Sequence, residues 1–131
     1  MLNIMESLII PSGQNTPSID FNAQTGKLEI TGISIPEDVT GFYQTVFNWL
    51  MQYIQNPAPN TELHIHLNYF NSASAKAILD IMNYLEALLD RNANVMVFWH
   101  YLDIDEDMFS TGKEFQSLVK IPFQFVQHVS E

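Results

Sequence analysis

A chain of 131 residues with 47% hydrophobic residues is the size of one ordinary domain and apolar enough to build its own core, which excludes global disorder. Cysteine is absent, so disulfides, thiolate metal sites and cysteine nucleophiles are excluded together. Five Lys plus Arg against fifteen Asp plus Glu give a formal net charge of -10, a surface that repels phosphate backbones and anionic lipid and argues against nucleic acid or membrane as partners.

No apolar run approaches the roughly 20 residues that span a bilayer, and the first ten residues lack the basic start and apolar stretch of a signal peptide. The chain therefore reads as cytoplasmic. No linker or repeat divides it, so residues 1–131 read as one domain. Ser7 to Ile10 reads as a short edge strand. Ser18 to Asn22 and Lys27 to Thr31 flank a turn that contains Gly26, the pattern of a β-hairpin, with Leu28 and Ile30 on one face. Ser34-Ile35-Pro36-Glu37-Asp38 then opens a helix, with the cap expected at Ser34 or Ile35 and the proline in the first turn. Val39, Phe42, Tyr43, Val46, Phe47, Leu50, Tyr53 and Ile54 recur at helical spacing until Pro57 ends the pattern.

Glu62 to Phe70 reads as a strand with Leu63, Ile65, Leu67 and Tyr69 on one face and His64, His66, Asn68 and Phe70 on the other. Asn71-Ser72 opens a second helix whose stripe runs through Ala75, Ile78, Leu79, Met82, Leu85 and Leu89, with an exit at Asn92 or Asn94. The unbroken run Val95-Met96-Val97-Phe98-Trp99 predicts a strand covered on both faces. Asp103 to Asp107 leads into a third helix ending near Val119, and Phe123 to Val126 makes a last strand. The alternation after the hairpin predicts an α/β fold: one mixed β-sheet with about three helices packed on it.

The strand-to-helix junction carries the most chemistry. A helix N-terminus presents unpaired N–H groups and the positive end of the helix dipole, so a phosphate on a hydroxyl there is tolerated or favoured. Lys76 follows Ser72 by four residues, within reach on one helical face, and Ala73 and Ala75 leave the approach open. A simple N-cap at Asn71 or Ser72 explains the same residues without any function. His64 and His66 share one face of a strand, a legitimate spacing for two metal ligands, with no third ligand visible nearby. Metal analysis of protein purified without an affinity tag discriminates this reading. Asp103, Asp105, Asp107 and Glu114 fit positions 1, 3, 5 and 12 of a calcium loop, but Met108 stands where the template needs glycine, and the segment also reads as the first turn of a helix. No phosphate-binding glycine loop, nucleophile elbow or zinc-protease motif occurs. Nothing in the residues demands an enzyme or a cofactor.

Beyond these local readings, the chain resembles the SiaC family of bacterial regulatory phosphoproteins over nearly its whole length. The resemblance rests on Thr16-Pro17-Ser18-Ile19-Asp20-Phe21, Gly26 to Gly32, Ser34-Ile35-Pro36-Glu37, Phe42-Tyr43, Trp49-Leu50, Tyr69 to Lys76, Trp99-His100-Tyr101, and Glu114-Phe115 through Phe123. Their order and spacing together, not any one piece, carry it. The resemblance implies a STAS-like fold and a phosphorylation switch at Ser72, where family members often carry threonine. It also implies a partner serine/threonine kinase, a PP2C-type phosphatase, and an unphosphorylated form that binds and activates a diguanylate cyclase, promoting biofilm formation. Asn71, Ser72, Ser74 and Lys76 are then expected at the centre of the partner surface. The alternative expectation is a small-ligand or metal-binding domain that uses His64 and His66.

Overall fold

The computed structural model describes residues 5–131. The reading of the first ten residues thus falls partly on positions outside the described residues. The elements are β1 (Leu8–Ile10), β2 (Ser18–Phe21), β3 (Lys27–Ser34), α1 (Val39–Tyr53), β4 (Asn60–Phe70), α2 (Ser72–Leu85) with a 3-10 extension over Glu86–Asp90, β5 (Asn94–Leu102), α3 (Glu106–Leu118) and β6 (Phe123–His128). The strands form one sheet in chain order. β1, β2 and β3 pair antiparallel, and β3 through β6 pair parallel. The mixed sheet with three helices is the architecture expected from the sequence.

Strand order explains where the helices lie. Each parallel pair is joined through a helix, and such crossovers are right-handed. Because the order always advances in the same direction, α1, α2 and α3 all fall on one face. The burial of the strands agrees: Ile19, Phe21, Leu28, Ile30, Leu63, Ile65, Leu67, Val95, Val97 and Trp99 are buried on that face. Among the described residues the opposite face carries no helix. The expectation that β5 is covered on both faces is therefore corrected: Met96 and Phe98 are only partly buried on the bare side. Phe98 is sheltered by the His64 ring, stacked on it at 4.5 Å, so an apolar run marked lateral cover rather than a second layer.

Two glycines are set by close approach. Gly26 closes the β2–β3 turn with φ 78, and a Cβ there would stand 2.1 Å from the Asn60 carbonyl oxygen. Gly112 lets α3 lie directly on Trp99, where a Cβ would meet the indole at 2.5 Å. The indole N–H donates to the Met108 carbonyl at 2.9 Å, so the largest core side chain is also satisfied. Trp49 packs edge-on to Phe21 and stacks on Tyr53 beneath the other end of the sheet.

The first helix begins later than the sequence suggests. Its cap is Asp38, whose carboxylate accepts from the Gly41 N–H at 3.0 Å. Ser34 is the last residue of β3 and is fully buried. Ser34 is still paired with Phe70 in the sheet, and it is the Asp38 carboxylate, not Ser34 or Ile35, that reaches a first-turn N–H. The calcium template is likewise resolved as a helix start: Asp105 caps α3 by accepting from the Met108 N–H at 3.0 Å, and Glu106 to Leu118 is helical. A helix from position 4 of that template onward cannot wrap an ion as the loop requires.

Candidate phosphorylation and partner-binding site

The end of β4 departs from simple alternation, and the departure builds the site. Gly32 pairs with Leu67, but Ile33 pairs with Tyr69 and Ser34 with Phe70, so Asn68 is an extra residue in β4. A bulge of this kind inverts the in–out phase beyond it. Tyr69, expected to face the core, is 57% exposed. Phe70, expected on the opposite face, packs against Trp99 and Phe115 with centroids 6.1 and 6.3 Å away. The phase change anchors the strand end in the core immediately before the junction.

Asn71 follows in extended backbone (φ -92, ψ 178) and caps α2, its side-chain oxygen accepting from the Ser74 N–H at 2.9 Å. Ser72 is the first helical residue and is exposed, and its hydroxyl has no intramolecular hydrogen bond among the described residues. Lys76 is exposed one turn on, and its ammonium pairs with Asp80 at 3.2 Å rather than with Ser72. Ser74 does not stand on the surface as expected. It is fully buried because the first turn of α2 lies directly over the end of β3.

There it belongs to a directed chain of hydroxyls. Ser74 donates to the Ser34 carbonyl at 2.8 Å, Ser34 donates to the Ser74 hydroxyl at 2.8 Å, and the remaining contact, 2.5 Å between Ser34 and Tyr43, takes its proton from Tyr43. Each hydroxyl donates once, and no buried side-chain polar atom is left unpaired among the described residues. Burial raises the Tyr43 pKa above its ordinary value, against the smaller opposing effect of Ser34 and Ser74, so the phenol stays a neutral donor. The relay ties β3, α1 and α2 together directly beneath Ser72.

Around this junction the surface is partly apolar. Tyr69 and its register partner Ile33 are exposed, as is Ile104 in the loop after β5, all at the edge where the parallel strands end. A shallow groove between α1 and α2, lined by residues including Val39, Thr40, Ala73 and Lys76, opens beside Ser72. Ser34, Tyr43, Ile33 and Tyr69 were not legible as site residues. Ser34 and Ser74 lie 40 positions apart, and a strand bulge leaves no compositional mark.

Fold and junction define the class: a small α/β domain that presents an exposed serine hydroxyl at the N-terminus of a helix seated on the sheet by buried hydrogen bonds. The chain belongs to the SiaC family, matching the family described as SiaC family regulatory phosphoprotein over residues 10–128. It is similar to an uncharacterised protein of Pseudomonas aeruginosa strain UCBPP-PA14, at 32% identity across 95% of this chain and 98% of the relative. The crystal structure of apo-SiaC from Pseudomonas aeruginosa is 30% identical, with a TM-score of 0.84 over 93% of this chain and 99% of that one. The crystal structure of the diguanylate cyclase SiaD in complex with its activator SiaC, from the same organism, matches at 31% identity with a TM-score of 0.86 over 92% of this chain and 99% of that one. The family is thus one of regulatory phosphoproteins. No helix among the described residues is long and apolar enough to cross a membrane.

Proposed function

We propose that this protein is a phosphorylation-switched binding protein whose unphosphorylated form binds and activates a diguanylate cyclase. Ser72 is the switch, phosphorylated by a partner serine/threonine kinase and restored by a PP2C-type phosphatase. The observation that carries the reading is the exposed, unpartnered Ser72 hydroxyl at the first position of α2, in a chain of a regulatory phosphoprotein family. That SiaC is the activator of SiaD in the similar complex supports a cyclase as the output.

The physics of the switch is local. Phosphate adds about -1.5 to -2 charge at neutral pH. The helix dipole and the free N–H groups of the first turn accommodate that charge on the protein itself, so the fold stays intact. At a contact surface the same charge must be desolvated or paired by the partner. A partner that docks on Asn71, Ser72, Lys76, Tyr69 and Ile33 with apolar or acidic groups is rejected, and one that presents arginines is favoured. Ser74 contributes from below by holding the helix start in place. The switch therefore changes partner preference without refolding.

Two measurements test this. Phosphopeptide mass spectrometry on protein isolated from its native cells, with phosphatase inhibitors present, is expected to find phosphate on Ser72. Binding to the diguanylate cyclase of the same cells is expected to survive in Ser72→Ala and to weaken by about ten- to hundredfold in Ser72→Glu. Equal binding by wild type and both variants would remove Ser72 from the mechanism.

A further inference from the structure

All four histidines of the chain, spread from position 64 to position 128, converge on the bare face of the sheet. Their convergence follows from topology. β4, β5 and β6 are adjacent and parallel, so His64 and His66, His100 and His128 are side by side although they come from three strands. His66 stacks on His100 at 4.8 Å and on His128 at 4.6 Å.

For neutral rings the hydrogen bonds admit one consistent set of tautomers. Glu62 accepts at Oε1 from His64 Nε2, 2.9 Å away. His64 Nδ1 is then an acceptor and takes the proton of His100 Nε2 at 2.9 Å. His100 Nδ1 is an acceptor in turn, and His128 Nε2 donates to it at 2.8 Å. The carboxylate thus aligns three neutral imidazoles in one direction. His66 stands outside this chain, with no hydrogen bond to its ring nitrogens among the described residues, which leaves a lone pair unused.

We propose that the bare sheet face binds one divalent transition-metal ion of the imidazole-preferring class, such as Zn²⁺, through His66, His100 and His128. One ring nitrogen from each of these residues lies within 4.8 Å of the other two. Tetrahedral coordination at 2.0–2.1 Å needs the nitrogens about 3.3 Å apart with each in-plane lone pair aimed at the ion, so His66 must swing out of its stack on His100 and His128 to bind. In the bound state His100 offers Nδ1 and His128 offers Nε2, the proton of His128 moving to its Nδ1, so no net proton is lost and all three ligands are neutral. Burial, and after it the neighbouring imidazoles, lowers His100 to about 4, and burial lowers His66 as well, so both rings carry lone pairs at neutral pH. His64 and Glu62 are positioning residues, holding His100 through the Nε2 that does not bind the ion, the carboxylate–histidine arrangement that orients metal-bound imidazoles. Water fills the remaining position on the open face. The site lies on the opposite side of the sheet from the helices and does not depend on the reading of Ser72.

The test uses full-length protein made without an affinity tag, stripped with chelator and titrated calorimetrically with zinc chloride at neutral pH. One ion per chain with a Kd near or below about 1 μM is expected. His66→Gln, His100→Gln and His128→Gln are each expected to weaken it by at least about tenfold, and Glu62→Gln by a smaller factor. Imidazole nitrogen NMR shifts of the wild type should move on His66, His100 and His128 when zinc is added. Circular dichroism identifies any variant that fails to fold, and for such a variant the NMR shifts of the wild type decide. Kd weaker than about 100 μM, binding unchanged in the glutamine variants, or shifts confined to other groups overturns the proposal.

Discussion

The two faces of the sheet handle polar groups in opposite ways. Under the helices, Ser34, Ser74 and Tyr43 are fully buried, and each donates one hydrogen bond in a closed chain. On the bare face, Glu62, His64, His100 and His128 form a chain of similar length that stays in reach of water. The first chain is obligatory, because a buried hydroxyl that loses its partner has no water to turn to. The second is adaptable, because each imidazole can exchange its neighbour for solvent or for an ion. The lesson is that hydrogen-bond geometry alone does not rank the two; burial does.

Substitutions separate the two chains. Ser34→Ala removes the centre of the buried relay and strands the Tyr43 hydroxyl, so unfolding in urea should show a loss of about 2 to 3 kcal/mol. Tyr43→Phe removes only the first donor and leaves Ser34 bonded to Ser74, and the same measurement should show about 1 kcal/mol. If Tyr43→Phe cost as much as Ser34→Ala, the assigned direction of the relay would be wrong. His100→Leu, measured with chelator present, interrupts the open chain at its middle and should change stability by no more than about 1 kcal/mol, since its partners remain hydrated. A larger loss would show that the bare face is as obligatory as the covered one. Ser72→Glu should move stability least, within about 0.5 kcal/mol, because an acidic side chain at the first turn suits the helix dipole. A large destabilisation there would tie the switch to folding rather than to partner contact.

Much of this arrangement is written locally. The α2 start is readable from Asn71-Ser72 because a capping side chain acts over three residues. The Leu28 and Ile30 face and the stripe of α1 follow from periodicities of 2 and 3.6; Leu28, Ile30, Tyr43, Val46, Leu50 and Tyr53 are buried as expected, while Val39, Phe42, Phe47 and Ile54 are partly buried at its margin. What was not legible is what depends on register between distant segments. His64 and His66 suggested a pair of ligands, but His100 and His128 join them only once β4, β5 and β6 are known to be consecutive in the sheet. Ser34 resembled a helix cap because capping residues and strand-terminal serines look alike in one dimension. Tyr69 and Phe70 exchanged faces because a single extra backbone residue costs nothing that composition records.

That extra residue, Asn68, works like a dropped stitch. Upstream of it, β4 is in step with its neighbours and presents its histidines outward; downstream, the same strand runs out of step and points Phe70 inward. Deleting Asn68 itself would restore plain alternation, with Leu67 inward, Tyr69 outward and Phe70 inward, so both halves would keep their aim. Deleting Leu67 instead would hand its core position to Asn68, a polar side chain in an apolar layer. The outer row and the switch are thus set on either side of one residue, and it is the one residue of the strand that can be spared.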